Sequence, residues 1–120
     1  MLEIARVYGQ PHNQSSRHSS RYFVERLWPR GMKKESLQID GWLKNVAPSD
    51  ALRKWYAHRL DRWPEFRKRY LAELRENPDA WQPLLEAARD GNVLLLYSAR
   101  DTEHNSAIVL RDFLISQLKE

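Results

Sequence analysis

Apolar positions along the chain keep two rhythms, and the rhythm changes with position. Leu2 to Tyr8 alternates with a period near two, which predicts a strand with one buried face. Tyr22 to Leu27, rich in aromatic and branched residues, predicts a second strand, ended by Pro29 and Gly31. Between them Gly9 to Ser20 is a polar loop of Pro, His, Asn, Gln and Ser. In Lys33 to Pro48 the apolar residues Leu37, Ile39, Trp42, Leu43 and Val46 fit neither period. That stretch reads as a short strand or an extended segment.

Helical spacing then takes over. Ser49 or Asp50 can cap a helix after Pro48, with Leu52, Trp55, Tyr56 and Leu60 on one face. Pro64 suits the first turn of a second helix, whose buried stripe is Phe66, Tyr70 and Leu74. Asn77–Pro78 repeats the start signal for a third, with Trp81, Leu84, Leu85 and Ala88 inward and Gly91 as C-terminal cap. Val93 to Tyr97 is apolar without alternation, as in a parallel strand covered on both faces. Ala107 to Leu118 closes the chain as a helix with Leu110, Phe113, Leu114 and Leu118 inward. The pattern predicts a single α/β domain over residues 1–120, a small, mostly parallel sheet flanked by helices.

Composition narrows the chemistry. The chain of 120 residues has no cysteine, which removes disulfides, thiolate catalysis and Cys-based metal sites. No apolar run approaches the roughly 20 residues of a membrane span, and Met1 to Gln10 lacks a signal-peptide pattern, so a cytoplasmic protein without membrane contact is expected. The net charge of +4 divides into +3 over residues 1–50, +5 over 51–75 and −4 over 76–120. The positive field therefore belongs to the first two thirds.

In an open parallel sheet, ligands bind beyond the carboxyl ends of the strands. Two such ends are densely polar here: Glu25 to Gly31, and Ser98 to Asn105. The second leads into a helix N-terminus, where free N–H groups and the helix dipole favour an anion. Arg100 adds a forked guanidinium and His104 a titratable imidazole beside Asp101. The structural alternative is that Asp101 or Thr102 caps the helix and Asn105 bonds locally. Arg26, Trp28 and Arg30 form the other cluster. Arg26 faces the core if Val24 does, and then needs a carboxylate, a fan of carbonyls or a bound anion. Asp40 and Asp101 are the candidate ion-pair partners, and Trp28 serves either packing or stacking. Residues 51–75 interleave eight basic groups with Trp55, Tyr56, Trp63, Phe66 and Tyr70, a composition that suits nucleic acid, although helical spacing assigns the aromatics to the core. His58 points into the cleft or to solvent. No glycine-rich phosphate loop, zinc-helix His pair or cofactor motif is present, so neither a cofactor nor a metal is expected. Ser98 and His104 could pair as nucleophile and base, but the glycine-flanked elbow is missing.

Three blocks, Tyr22 to Gly31 (YFVERLWPRG), Leu43 to His58 (LKNVAPSDALRKWYAH) and Leu94 to Leu110 (LLLYSARDTEHNSAIVL), resemble the YeaO-like family of small bacterial and archaeal proteins, a domain of unknown function. The resemblance spans residues 22 to 115 and implies a compact α/β fold with no established activity. Carried over by position, it marks Arg26, Trp28, Arg30, Lys44, Ser49, Arg53, Trp55, His104 and Asn105 as recurrent polar positions. More distant relatives carry Cys near Ser98 and Asn105, which this chain lacks. Glu25 stands where close relatives usually have Asp, and the stretch from His12 to Ser20 is longer than the family's linkers.

Three functions compete. The leading expectation is a site for an anionic small molecule, a nucleotide or phosphorylated metabolite, with hydrolase or transferase chemistry open. Arg26, Arg30 and Arg100 would hold the anion, Trp28, Ser98 and Asn105 would frame it, His104 would be acid or base, and Asp101 would orient His104 or a water. The second is a nucleic-acid module on the basic face of residues 51–75. The third is a partner-binding protein without catalysis; no heptads argue for any oligomeric state.

Overall fold

The computed structural model describes residues 1–8 and 20–119. Among the described residues four strands form one parallel sheet: β1 (Leu2–Arg6), β2 (Ser20–Phe23), β3 (Gly41–Trp42) and β4 (Val93–Tyr97), in the order β1-β4-β2-β3. The last strand in sequence is therefore inserted between the first two. Leu2 to Arg6 pairs with Val93 to Tyr97, and Ser20 to Phe23 pairs with Val93 to Leu96. The loop expected over Gly9 to Ser20 falls, except for Ser20, outside the described residues.

Helices α1 (Asp50–Tyr56), α2 (Trp63–Arg75), α3 (Pro78–Asp90) and α4 (Ser106–Leu118) share one core with a single face of the sheet. That face presents Leu2, Val24, Val93, Leu95 and Tyr97, with Ile4 and Tyr22 packed against them. The opposite face is covered by the chain between β2 and β3. There Phe23, Leu37 and Leu96 are buried, and Trp28 and Trp42 stack edge-on at 5.2 Å. The continuous apolar run of β4 is thus explained. Leu95 faces the helices and Leu96 the aromatic layer, at 0% and 1% exposure. Each such buried side chain contributes roughly 1.5–3 kcal/mol of transfer free energy.

Several boundaries differ from the sequence expectation. β2 begins at Ser20 and stops at Phe23, so Val24 to Leu27 is not strand. Its direction is nonetheless continued by single bonds, Val24 N–H to the Leu96 carbonyl and Leu43 N–H to the Phe23 carbonyl. The unreadable stretch after Lys33 holds only two strand residues, flanked by 3-10 turns at Lys34–Ser36 and Lys44–Val46. Such short elements cannot show a period. Ser49 caps α1 through its hydroxyl, which accepts from Leu52 N–H while donating to the Glu73 carboxylate. Asn77 stands before α3 but makes no side-chain cap; its amide reaches the Asn45 carbonyl instead. Gly91 ends α3 in extended backbone, φ 174°, so no left-handed cap is formed there. Gly31 does need its freedom. With φ 77° it is the third residue of the turn closed by Met32 N–H on the Pro29 carbonyl, the geometry of a type II turn.

The end of α1 is strained. Ala57 and His58 both hold positive φ, 46° and 58°, a region that costs an L-residue roughly 1–2 kcal/mol. Ala57→Gly should raise stability by up to about 1 kcal/mol, the relief exceeding the added unfolded-state entropy. Leu95→Ala should lower it by about 2–5 kcal/mol. Urea denaturation of the two variants checks both signs; a destabilised Ala57→Gly would mean the left-handed pair is not under strain.

Candidate functional site

Three strands deliver polar residues to the carboxyl edge of the sheet. Along β1, Leu2, Ile4 and Arg6 alternate onto the helix face, and Arg6 stands directly beside Tyr97 of β4. Arg6 donates from Nε to the Ala99 carbonyl at 2.8 Å, and its guanidinium lies 5.0 Å from the Tyr8 ring centre. Just past β2, Glu25 turns its carboxylate to the end of β4. It accepts from Ser98 N–H at 3.0 Å and from the Ser98 hydroxyl, while its own carbonyl accepts from Trp42 Nε1. One carboxylate thereby joins the two polar strand ends that the sequence shows as separate clusters.

Beyond Ser98 the chain folds around Asp101. Its Oδ1 accepts from the N–H groups of Glu103 and His104, both at 2.9 Å, and its Oδ2 lies 3.1 Å from His104 Nδ1. These bonds hold the Asp101 carboxyl below the usual carboxylate range, the Glu103 N–H contributing most. The cap of α4 is Asn105, not Asp101 or Thr102. The Asn105 Oδ1 accepts from Ile108 N–H and its Nδ2 donates to the Asp101 carbonyl. At 4% exposure this amide is among the few buried polar side chains. The His104 ring stands edge-on to Trp63 at 5.2 Å, and Trp63 packs on Tyr56.

The remaining predicted residues fall around this centre. Arg26 points to the helix face, as expected from Val24, but pairs with neither Asp40 nor Asp101. It is held by a fan of carbonyls, Pro48 at 3.1 Å and Ala47 at 3.3 Å, with Asp50 at 4.0 Å. It lines a cleft of about 280 Å³ with Ser49, Tyr70 and Glu73, on the side of α1 and α2. Asp40 instead accepts from Arg21 N–H. Trp28 is packing: it stacks on Phe23 and Trp42 and donates to the Met32 carbonyl. Arg30 is exposed, and its carbonyl accepts from the Tyr8 hydroxyl. Arg100 is exposed. Lys44 lies over the Trp42 ring, and Arg53 pairs with Asp50. The Ser98 hydroxyl donates to Glu25, so it does not pair with His104 as nucleophile and base.

Sequence reading passed over Arg6, Tyr56 and Tyr97. Tyr97 is 3% exposed and Tyr56 7%. Burial raises the pKa of both phenols; Asp101 adds to the rise at each, whereas Arg6 opposes it at Tyr97. Both therefore stay protonated donors at neutral pH. The available signal was positional: Arg6 ends its strand as Tyr97 ends β4. The tyrosines, though, are indistinguishable in sequence from ordinary core aromatics.

Donors and acceptors are unequally used here. The Glu25 and Asp101 carboxylates are occupied by Ser98, Glu103 and His104. Among the described residues the Tyr56 and Tyr97 hydroxyls make no hydrogen bond, whereas those of Tyr8 and Tyr70 bind carbonyls. Arg6, Arg30 and Arg100 make no salt bridge among the described residues.

Comparison with known proteins adds a family. A family profile described as "Inactive DUF488-N3 subclade" matches residues 1–120. The Escherichia coli K12 "Uncharacterized protein YeaO" is 41% identical over 115 residues, 96% of this chain and 97% of that protein. The Mycobacterium tuberculosis H37Rv "Uncharacterized protein Rv3073c" is 38% identical over 76 residues, 63% of this chain and 62% of that protein. No solved structure matches.

Asn105→Ala should cost about 1 kcal/mol, the usual value of a lost N-cap, and more if the Asp101 turn loosens with it. The Asp101 carboxyl is depressed in the fold, so its contribution is present above the unfolded value near 4 and fades as pH falls through the lower folded value. The stability gap between wild type and Asp101→Asn should therefore narrow on acidification below about pH 4. Urea titrations across pH measure it; a gap that widens in acid would contradict this account.

Proposed function

The chain belongs to the YeaO-like family, within the DUF488-N3 subclade described as inactive, and from that premise we propose that it binds an anionic small molecule at its strand ends without turning it over. The ligand is a nucleotide or phosphorylated metabolite. One observation carries the reading. The carboxylates at this edge are already bonded, while the terminal nitrogens of Arg6 and the Tyr56 and Tyr97 hydroxyls, which are not sealed from solvent, make no hydrogen bond among the described residues. A ligand entering such a place must bring acceptors, and phosphate oxygens are strong ones.

Roles follow from position. Arg6, fixed through Nε, presents its terminal nitrogens, and Arg30 and Arg100 supply exposed positive charge around them. Tyr97 and Tyr56 donate without adding charge. His104, oriented by Asp101, offers its free ring nitrogen, and Trp63 walls that side. Ser98 and Asn105 hold the loop in shape, Trp28 stays in the aromatic layer on the other face of the sheet, and Arg26 braces the start of α1. Two features favour binding over catalysis. The subclade is described as inactive, and the Ser98 hydroxyl is committed to Glu25 rather than to a base.

Calorimetric titration with inorganic phosphate and with nucleoside monophosphates tests this. Saturable binding is expected, accompanied by a rise in melting temperature with ligand concentration. Tyr97→Phe keeps the buried ring and should weaken binding about ten- to a hundredfold, the loss of one hydrogen bond to a charged group. Heatless titrations and an unmoved melting temperature would defeat the reading, and measurable turnover of the bound ester would defeat its non-catalytic half.

A further inference from the structure

The wall of the strand-end site is also the inner side of the most basic part of the surface. Trp63 stands edge-on to His104 and packs on Tyr56, and the residues immediately around them face outward. Trp55 carries two guanidinium groups over its ring, Arg69 at 4.3 Å and Arg62 at 5.1 Å. Arg62 also donates to the Trp55 carbonyl, which fixes it at the mouth end of α2. Further out, Lys54, Arg67, Lys68 and Arg75 are exposed and make no salt bridge among the described residues. The ion pairs on this face, Arg53–Asp50, Arg59–Asp61 and Arg69–Glu65, join exposed side chains. Pairs in that setting are worth little and are readily exchanged for another anion.

Charge is therefore graded along the molecule. Residues 51–75 hold +5, and residues 76–120 hold −4. A polyanion is drawn to the α1–α2 side and repelled by the acidic excess of residues 76–120. A free mononucleotide would engage only the mouth and leave this face unused. A strand whose end enters the mouth would use both.

We propose that the anion accepted at the strand ends is the terminal phosphate of a nucleic-acid strand, whose backbone continues over the basic outer face of α1 and α2. The proposal rests on the anion-binding reading above and narrows its ligand. Arg6 and Tyr97 take the terminal phosphate. The guanidinium groups of Arg62 and Arg69, already stacked on Trp55, offer flat cationic surfaces to the next sugar-phosphates and bases. Lys68 and Arg67 act on later phosphates as exposed charges.

Fluorescence anisotropy with one short single-stranded oligonucleotide, carrying a 5′-phosphate, a 3′-phosphate or hydroxyl ends, tests it on the full chain. One phosphorylated form should bind about tenfold or more tighter than the hydroxyl form. Its affinity should fall steeply between about 50 and 200 mM salt. Tyr97→Phe and Arg6→Lys should erase the preference for a phosphorylated end. The double variant Arg67→Glu with Lys68→Glu, on exposed positions that leave the core untouched, should weaken all three oligonucleotides alike and leave inorganic phosphate binding unchanged. Equal affinity for phosphorylated and hydroxyl ends overturns the proposal. So does phosphate or mononucleotide binding with no gain for the oligonucleotide, an outcome that leaves the anion site standing. Loss of phosphate binding itself brings down both.

Discussion

β4 shares its backbone hydrogen bonds with β1 on one edge and β2 on the other, and its side chains are covered on both faces. A parallel strand in that position must be apolar throughout, because no side of it meets water. Val93 to Tyr97 meets the condition, and the rest of the architecture follows from satisfying it. The helices supply one cover, built around Leu95. The chain between β2 and β3 supplies the other, where Phe23, Trp28 and Trp42 close over Leu96 with rings in place of a second helical layer. Because β4 comes last among the strands, its insertion between β1 and β2 brings residues some ninety positions apart into register, as Arg6 with Tyr97.

That insertion also creates the polar edge. Where β4 ends, its next residue has lost its ladder partners, and Glu25 provides replacements from the neighbouring strand. Asp101 does the same for the loop that follows, and Asn105 for the first turn of α4. Each acidic or amide group here is used as an acceptor for the chain's own N–H groups, in agreement with the rule that buried polar atoms find partners. The terminal nitrogens of Arg6 and the hydroxyls of Tyr56 and Tyr97 have no such employment among the described residues. The imbalance is a consequence of ending three parallel strands together, not of any single motif.

The sequence displayed the periodic parts of this fold well. Phe66, Tyr70 and Leu74, and then Trp81, Leu84, Leu85 and Ala88, are buried as their spacing implied. Short elements were illegible for a physical reason: a two-residue strand and a 3-10 turn hold too few positions to express a period. The Arg26 environment was half legible. Its inward direction followed from Val24, but its partners are the carbonyls of Ala47 and Pro48, and no sequence pattern marks a backbone acceptor. The cap of α4 was misassigned to Asp101 or Thr102 because several capping residues stand in a row, and only the turn around Asp101 decides that Asn105 takes the position. Tyr97 and Tyr56 were hidden by their own hydrophobicity, since an aromatic at a core position gives no sign of where its hydroxyl ends.

The strained end of α1 belongs to the same design. α1 has to stop at Tyr56, with its ring packed at 4.4 Å on Phe66 inside the core. The chain must then reverse quickly enough for Trp63 to begin α2 against His104. Two consecutive left-handed residues make that reversal over a very short span, and neither is glycine. The packing of Tyr56 and Trp63 on Phe66 is what can hold such a bend, because unwinding it would draw both rings from the core at roughly 1.5–3 kcal/mol or more each. The wall of the site is thus fixed by core packing together with the bonds across the bend, from Arg59 N–H to the Tyr56 carbonyl and from Arg62 to the Trp55 carbonyl. That leaves its hydroxyl and ring edges unspent at the place where three strands bring their polar ends together.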